Sequence, residues 1–482
     1  MELTFIGLIQ IAVGGIIALT GGLRSIFVFL VMSSLFDGSA SVLLPALGGS
    51  SIPPVQFALL FIFLRILMPG SGLVGTIPDA IHANWWLVLF TVYGVATAYL
   101  GPRLFGGSFD VFPMQPDTSR GLFYTVPLRP TSQNITAGVY LLGTLLLAIA
   151  SYIACRFRGG ASALVSAAIW AGWIHIATGV FDVATRGTPL ESVLSVFRNG
   201  NYAQVDHEIA GFLRIRGLLP ESSSYAGLGF SLFVLNAELW YRSIRNKATG
   251  LVAAALALVL FFSTSSTAYV ALAGYMAFFL LRAFALPYTV GKGKFRQVAI
   301  IGLLILFIVA VALIAIPSLP YSIYDMILKM TVEKSGSDSG EQRLFWAMQG
   351  WYGFLASYGL GIGSGSFRSS SMIMAILGSM GVIGIATFFM YLLTVFQPWR
   401  RSTYGPTEDL RQSLGGALGS SAVLLLIPAS IASPQPNPGT IFAILAGAAL
   451  ALRPVVARRT EQEDSPPPES QTHGEITTAG SP

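Results

Sequence analysis

The segment 214–221, RIRGLLPE, sets two arginines and a glutamate close together, immediately before an apolar run. A guanidinium is planar, permanently charged and able to grip an oxyanion through two parallel hydrogen bonds. Arginines held at the lip of a membrane helix therefore point to an anionic partner, a phosphate or diphosphate above all. The surrounding stretch 182–222 adds Arg186, Arg198, Asp206, His207 and Glu208. Glu221 would deprotonate a hydroxyl or orient an arginine. The alternative is a carboxylate that steadies the start of a helix, with Ser222, Ser223 and Ser224 as caps. His207 lies between two carboxylates and is either a base or a surface residue. Further along, Arg343 and Arg368 bracket an aromatic stretch and the Gly-Ser run 361–366, which would turn backbone N–H groups toward an anion. No Lys-Ser/Thr pair follows those glycines, so the run is not a nucleotide-binding loop. Four scattered histidines and one cysteine give no metal-ligand spacing, and no cofactor or protein-held metal is expected. Asp37, Asp325 and Asp338 would at most assist a loosely held divalent ion.

The elements that must hold these residues are membrane helices. Hydrophobic residues make up 54% of the chain and charged ones 10%, and apolar runs of helix-spanning length recur throughout. Those runs are uniformly apolar rather than alternating, which excludes a barrel. The expected fold is an all-α polytopic transmembrane bundle of about 12–13 helices with long extracytoplasmic loops. Helices are predicted over 3–20, 25–46, 54–68, 84–102, 134–155, 161–181, 223–240, 248–263, 265–284, 297–317, 371–396, 412–432 and 438–452. The second is interrupted by Asp37 and Gly38 and is read as broken or re-entrant. The stretch 344–360 is too interrupted by glycine and polar residues to span, and is expected along the interface. Residues 1–459 form one transmembrane domain, and 460–482, acidic and proline-rich, a disordered cytoplasmic tail. Lys and Arg gather in the short connections and the tail, which puts the C-terminus in the cytoplasm and the loops 103–133, 182–222 and 318–370 outside. Asp37 and Arg65 are the only ionisable groups expected to intrude into spans. That scarcity argues against a transporter, which needs charges near the midplane.

Taken together, GLLPESSSYAGLGF after paired arginines, FFSTSSTAYVALAGY, and EQRLFWAMQGWYGFLASYGLGIGSGSFRSSSMIMAILGSMGVIGI resemble the O-antigen polymerase and ligase superfamily over roughly 205–390. The family's arginine spacings can be matched: Arg216 precedes Gly227 with ten residues between, and Arg343 precedes Gly359 with fifteen. The resemblance implies a membrane glycosyltransferase that polymerises undecaprenyl diphosphate-linked oligosaccharide repeat units of O-antigen or exopolysaccharide at the outer face of the bacterial inner membrane. It would need no nucleotide sugar. Its partners would be the lipid-linked glycan, membrane lipid, a chain-length regulator and other polysaccharide assembly proteins, with no nucleic acid. In that frame Arg216 and Arg343, helped by Arg214 and Arg368, hold the diphosphate, Glu221 serves the acceptor hydroxyl, and His207 and Tyr225 contact substrate. Tyr321, Tyr324, Tyr352 and Tyr358 either stack on sugars or anchor at the interface. The ligase branch is the alternative. It is expected to carry a histidine in the large late loop, whereas no histidine lies between His207 and His473.

Overall fold

The computed structural model describes residues 1–47, 50–121, 123–200, 208–209, 212–285, 293–315, 321 and 338–453. The tail 460–482, His207, Tyr324 and Asp325 lie outside them. The described chain is a helical bundle with only short strands. Its helices are α1 Phe5–Thr20, α2 Leu23–Ser33, α3 Pro54–Leu67, α4 Ile77–Ala83, α5 Trp85–Leu104, α6 Ser132–Arg156, α7 Gly160–Ala184, α8 Glu191–Ser195 and α9 Ser222–Tyr241. They continue as α10 Asn246–Phe262, α11 Ser266–Ala285, α12 Phe295–Ala315, α13 Asp338–Ala356, α14 Met372–Phe396, α15 Arg401–Tyr404, α16 Leu410–Leu424, α17 Leu426–Ala432 and α18 Thr440–Leu452. Among the described residues six helical spans are long and apolar enough to cross a membrane: α5, α6, α7, α11, α14 and the α16–α17 stretch. Shorter apolar helices pack among them.

Helix α18 sits at the centre, buried along almost its whole length between α6 and α16. Small residues make this possible. A β-carbon on Gly447 would lie 2.0 Å from the Ala148 carbonyl oxygen, so only glycine lets the two backbones approach. Helix α6 begins with a capping box between Thr131 and Asn134. The Asn134 amide also donates to the Ser364 carbonyl and the Ser366 hydroxyl, each at 2.9 Å, and so ties the Gly-Ser run to the start of α6.

The predicted second span is indeed broken. Helix α2 ends at Ser33, a 3-10 turn carries on to Phe36, and the chain reverses at Asp37 and Gly38. It then forms strand β2, Val42–Leu44, paired antiparallel with β1, Glu2–Leu3, and β3, Ser50–Ile52. The stretch 344–360, by contrast, folds mostly into α13, packed along α14. Its glycines do not interrupt the helix but admit its neighbour: a β-carbon on Gly350 would lie 2.1 Å from the Met374 carbonyl oxygen.

The two ends of the bundle differ. One carries the β1–β3 sheet and the segment 214–221. The other holds a buried ionic knot that the sequence reading did not foresee. Fully buried Glu238, in the last turn of α9, accepts from both Arg242 and Arg282, the latter 3.1 Å from each carboxylate oxygen, and from the Tyr275 hydroxyl at 2.9 Å. Arg242 reaches on to the Ser402 and Thr403 carbonyls at 3.0 and 2.9 Å. Arg453 completes the knot through the Phe396 carbonyl and the Thr403 hydroxyl. Buried Asp182 in α7, Glu238 in α9 and Arg282 in α11 therefore stand within helices alongside Arg65, whereas Asp37 lies in the turn after α2, which corrects the shorter expectation above.

Candidate functional site

At the sheet-bearing end, a cavity of about 780 Å³ opens among the turn after α2, the starts of α6, α9, α11 and α18, and the end of α17. Glu221, Arg368 and Asp37 line it together with many hydroxyl and amide groups. Pro220 precedes Glu221, and the extended backbone of Glu221 (φ −130°, ψ 150°) puts it at the N-cap of α9. Its carboxylate caps nothing and instead accepts from the Ser223 hydroxyl at 3.1 Å, inside the cavity.

Arg368 is set by the segment that follows the Gly-Ser run. Its main-chain N–H donates to the Phe112 carbonyl at 3.0 Å, and its guanidinium lies over the Trp346 ring, 4.9 Å from the centroid. Its Nε–H is buried without a hydrogen-bond partner, an open donor beside the cavity. Burial lowers the proton affinity of Arg368, and the charge of Glu221 opposes that shift. Arg214 behaves alike: burial and then the charge of Arg343 lower its affinity, while Glu221 raises it. Its Nε–H is also buried and unpartnered. Arg343, in the second turn of α13, is joined to the Arg368 segment where its carbonyl accepts from the Ser370 hydroxyl. Arg214 thus lies in the field of both Glu221 and Arg343, and Arg368 in that of Glu221.

Arg216 belongs to a different group. Buried Asp182, near the end of α7, binds Arg186 at 3.2 Å and Arg198 at 2.5 Å, and accepts the Arg216 main-chain N–H at 2.9 Å. The Arg216 side chain lies 3.7 Å from Glu191. Burial lowers its proton affinity first, followed by Arg198, with Asp182 opposing, then Arg186, and Glu191 again opposing. The Asp182 cluster shapes the segment, for Arg186 also holds the Arg214 carbonyl at 2.8 Å.

Tyr225 does not reach the cavity, contrary to the substrate contact expected for it. Its ring is fully buried, stacked on His175 with centroids 3.9 Å apart, and its hydroxyl donates to the His175 carbonyl at 3.0 Å. The Gly-Ser run also departs from expectation. Its residues are buried, and the N–H groups of Gly361, Ile362 and Gly363 bond to Ser357, Gly378 and Ser379. They are consumed by packing against α14 and are not offered to an anion. The two glycines of the arginine spacings differ as well. Gly359 has a left-handed φ of 82° at the end of α13, whereas a β-carbon on Gly227 would point into open cavity. Among the described residues no group of three or more His, Cys, Asp or Glu side chains is gathered to hold a metal ion.

Compared with known proteins, the chain matches no family model and no curated protein. The site must therefore be read from its own chemistry. The lining holds one guanidinium, Arg368, the polar groups of Gln133, Thr136, Tyr140, Ser51 and Gln435, and the apolar surface of Leu228, Pro428 and Phe442, whereas Arg214, Arg216 and Arg343 do not line it. Such a cavity suits a ligand that is anionic at one point and polyhydroxylated elsewhere. Sequence reasoning missed Gln133, Thr136 and Gln435, which fall in helices or connections with no charge to mark them. Only the polar, proline-rich SPQPNPG between two apolar helices gave a local signal.

Proposed function

We propose that the chain is a membrane glycosyltransferase that polymerises undecaprenyl diphosphate-linked oligosaccharide repeat units, the activity implied by its resemblance to the O-antigen polymerase superfamily. The observation that carries this reading is Arg368 beside Glu221 in a hydroxyl-lined cavity at one end of a membrane bundle, with Arg214 in the field of both Glu221 and Arg343. The guanidiniums hold the diphosphate and stabilise the charge that builds on it as the C1–O bond breaks. The amide and hydroxyl wall takes the glycan, and the apolar patches receive the start of the lipid tail. Arg216 supports the site by fixing the loop that presents Arg214.

The topology follows from charge. Arg24, Arg156, Arg158, Arg242, Lys247 and Arg401 lie at the end away from the cavity, so the positive-inside rule puts that end in the cytoplasm and the cavity at the outer face. The membrane is the bacterial inner membrane, and the chain leaves α18 toward the cytoplasm. Deletion of the gene, scored on lipid-linked and surface glycan, tests the reading. A polymerase loss leaves single repeat units on lipid, and a ligase loss leaves long chains there. An unchanged glycan profile in every fraction ends both readings.

A further inference from the structure

The segment that carries Arg368 is held by main-chain contacts on two sides. The Arg368 N–H donates to the Phe112 carbonyl, and the Ser369 N–H donates to the Pro434 carbonyl at 3.1 Å. The second contact fixes where the connection between α17 and α18 sits. Arg368 and Gln435, each one residue along from that hydrogen bond, are therefore neighbours, and both line the cavity. The connection, SPQPNPG at 433–439, has proline at every second position. Proline fixes φ and removes a main-chain donor, so little freedom is lost when such a segment meets a ligand. Residues 434–438 hold two polar side chains, and these are used differently. Asn437 is not part of the cavity lining and is spent on anchoring: its side-chain oxygen accepts from the Thr144 hydroxyl at 2.7 Å and from the Gly439 N–H at 3.0 Å, and its amide donates to the Tyr140 carbonyl at 3.3 Å. Gln435 is the one at the cavity wall.

A side-chain amide offers one acceptor oxygen and two N–H donors, so it pairs best with a neutral group that both donates and accepts, a hydroxyl or an acylamino group. In the polymerase reading Arg368 holds the diphosphate, and the diphosphate is bonded to C1 of the donor's first sugar. A side chain next to Arg368 therefore meets that sugar rather than one further along the glycan. We propose that Gln435 is the specificity-determining residue for the first sugar of the donor, hydrogen-bonded to the neutral polar substituent on the carbon beside C1, and that Asn437 is a positioning residue that holds Gln435 in register with Arg368. This rests on the polymerase reading and deepens its donor side.

The test uses the full chain in membrane vesicles, with lipid-linked repeat units extracted from a strain deleted for it. Farnesyl diphosphate, which carries the diphosphate and no sugar, serves as competitor. Gln435→Ala should lower kcat/KM for the repeat units by about fivefold or more, through the lost hydrogen bonds, and leave the Ki of farnesyl diphosphate within about twofold of the wild type. Arg368→Ala should weaken both by about tenfold or more, because both ligands carry the diphosphate. Asn437→Ala should reproduce the split of Gln435→Ala to a smaller extent. A general loosening of the bundle would instead move both constants together and overturn the positioning role. If Gln435→Ala does not fold, Gln435→Met, which keeps the length and drops the amide, gives the same comparison. A Gln435 variant that matches the wild type in both constants, or weakens both alike, overturns the assignment of Gln435 while the polymerase reading survives. A wild type that never elongates the extracted units sinks the polymerase reading and this assignment with it.

Discussion

Arg214 and Arg216 stand two residues apart and serve different neighbours. Arg214 shares the field of Arg343 and Glu221, whereas Arg216 is held by the Asp182 cluster. Spacing in the sequence draws attention to Arg216, through its distance from Gly227. The group that separates the two arginines is Asp182, 34 residues upstream of Arg216, and no local pattern reveals it. The arginines were legible as a group; that Arg216 falls with Asp182 while Arg214 falls with Arg343 and Glu221 was not. Replacing Arg343 by Lys keeps the charge but removes the planar fork, so elongation should fall by at least about tenfold in a vesicle assay. Full activity would take Arg343 out of the site. Gly227 offers a cleaner probe of the cavity itself. A side chain there meets no neighbouring atom and projects into the space the glycan would fill. Gly227→Leu should leave the thermal midpoint unchanged or slightly raised, since leucine favours a helix by roughly 0.5–1 kcal/mol over glycine. It should nonetheless abolish elongation, and retention of activity would move catalysis elsewhere.

Elements long and apolar enough declare themselves, and α5, α6, α7 and α14 fall close to where periodicity and length put them. Two were harder. Helix α13 carries Gly350 and Gly353, reads as too interrupted to span, and among the described residues is not one of the helices apolar enough to cross a membrane; that its glycines admit a neighbouring backbone is what the sequence hides. Helix α14 is kinked at Gly381, with φ 57°, where a β-carbon would meet the Gly359 carbonyl oxygen at 1.9 Å. The Val382 N–H instead donates to that oxygen at 3.0 Å, so the kink and the turn after α13 are one device. The knot joining α9, α11 and α15 with the ends of α14 and α18 was invisible because Glu238 and Arg282 each look like a lone charge near a span end. Glu238→Gln leaves Arg242 and Arg282 without their counter-ion in a buried setting. It should destabilise the bundle by about 3–5 kcal/mol, measured as a lower thermal midpoint in detergent. A midpoint within about one degree of wild type would mean that water or lipid already screens those arginines.

At the scale of the whole molecule, the two ends make a prediction about sidedness. Asp117, exposed next to cavity-lining Gln115 and Pro116, and Lys247, exposed beside the knot, mark opposite ends. A cysteine at Asp117 should react with a membrane-impermeant maleimide in intact spheroplasts, and one at Lys247 only after permeabilisation. The buried native Cys155 should stay silent in both. Reversed labelling would put the cavity in the cytoplasm and remove the outer-face reaction. The all-helical, membrane-embedded character was readable from composition alone. The meeting of Asp37, Gln133, Glu221, Arg368 and Gln435 in one cavity was not, because it depends on which helices become neighbours. Helix α18 has a consequence for biogenesis. The ribosome makes it after the other described helices, yet it is the axis on which α6 and α16 close, and Thr440 and Phe442 at its start form one side of the cavity. A nascent chain halted before α18 can insert most of its hydrophobic segments but has neither a finished centre nor a complete binding chamber. Competence should therefore arise in a single late docking step during synthesis.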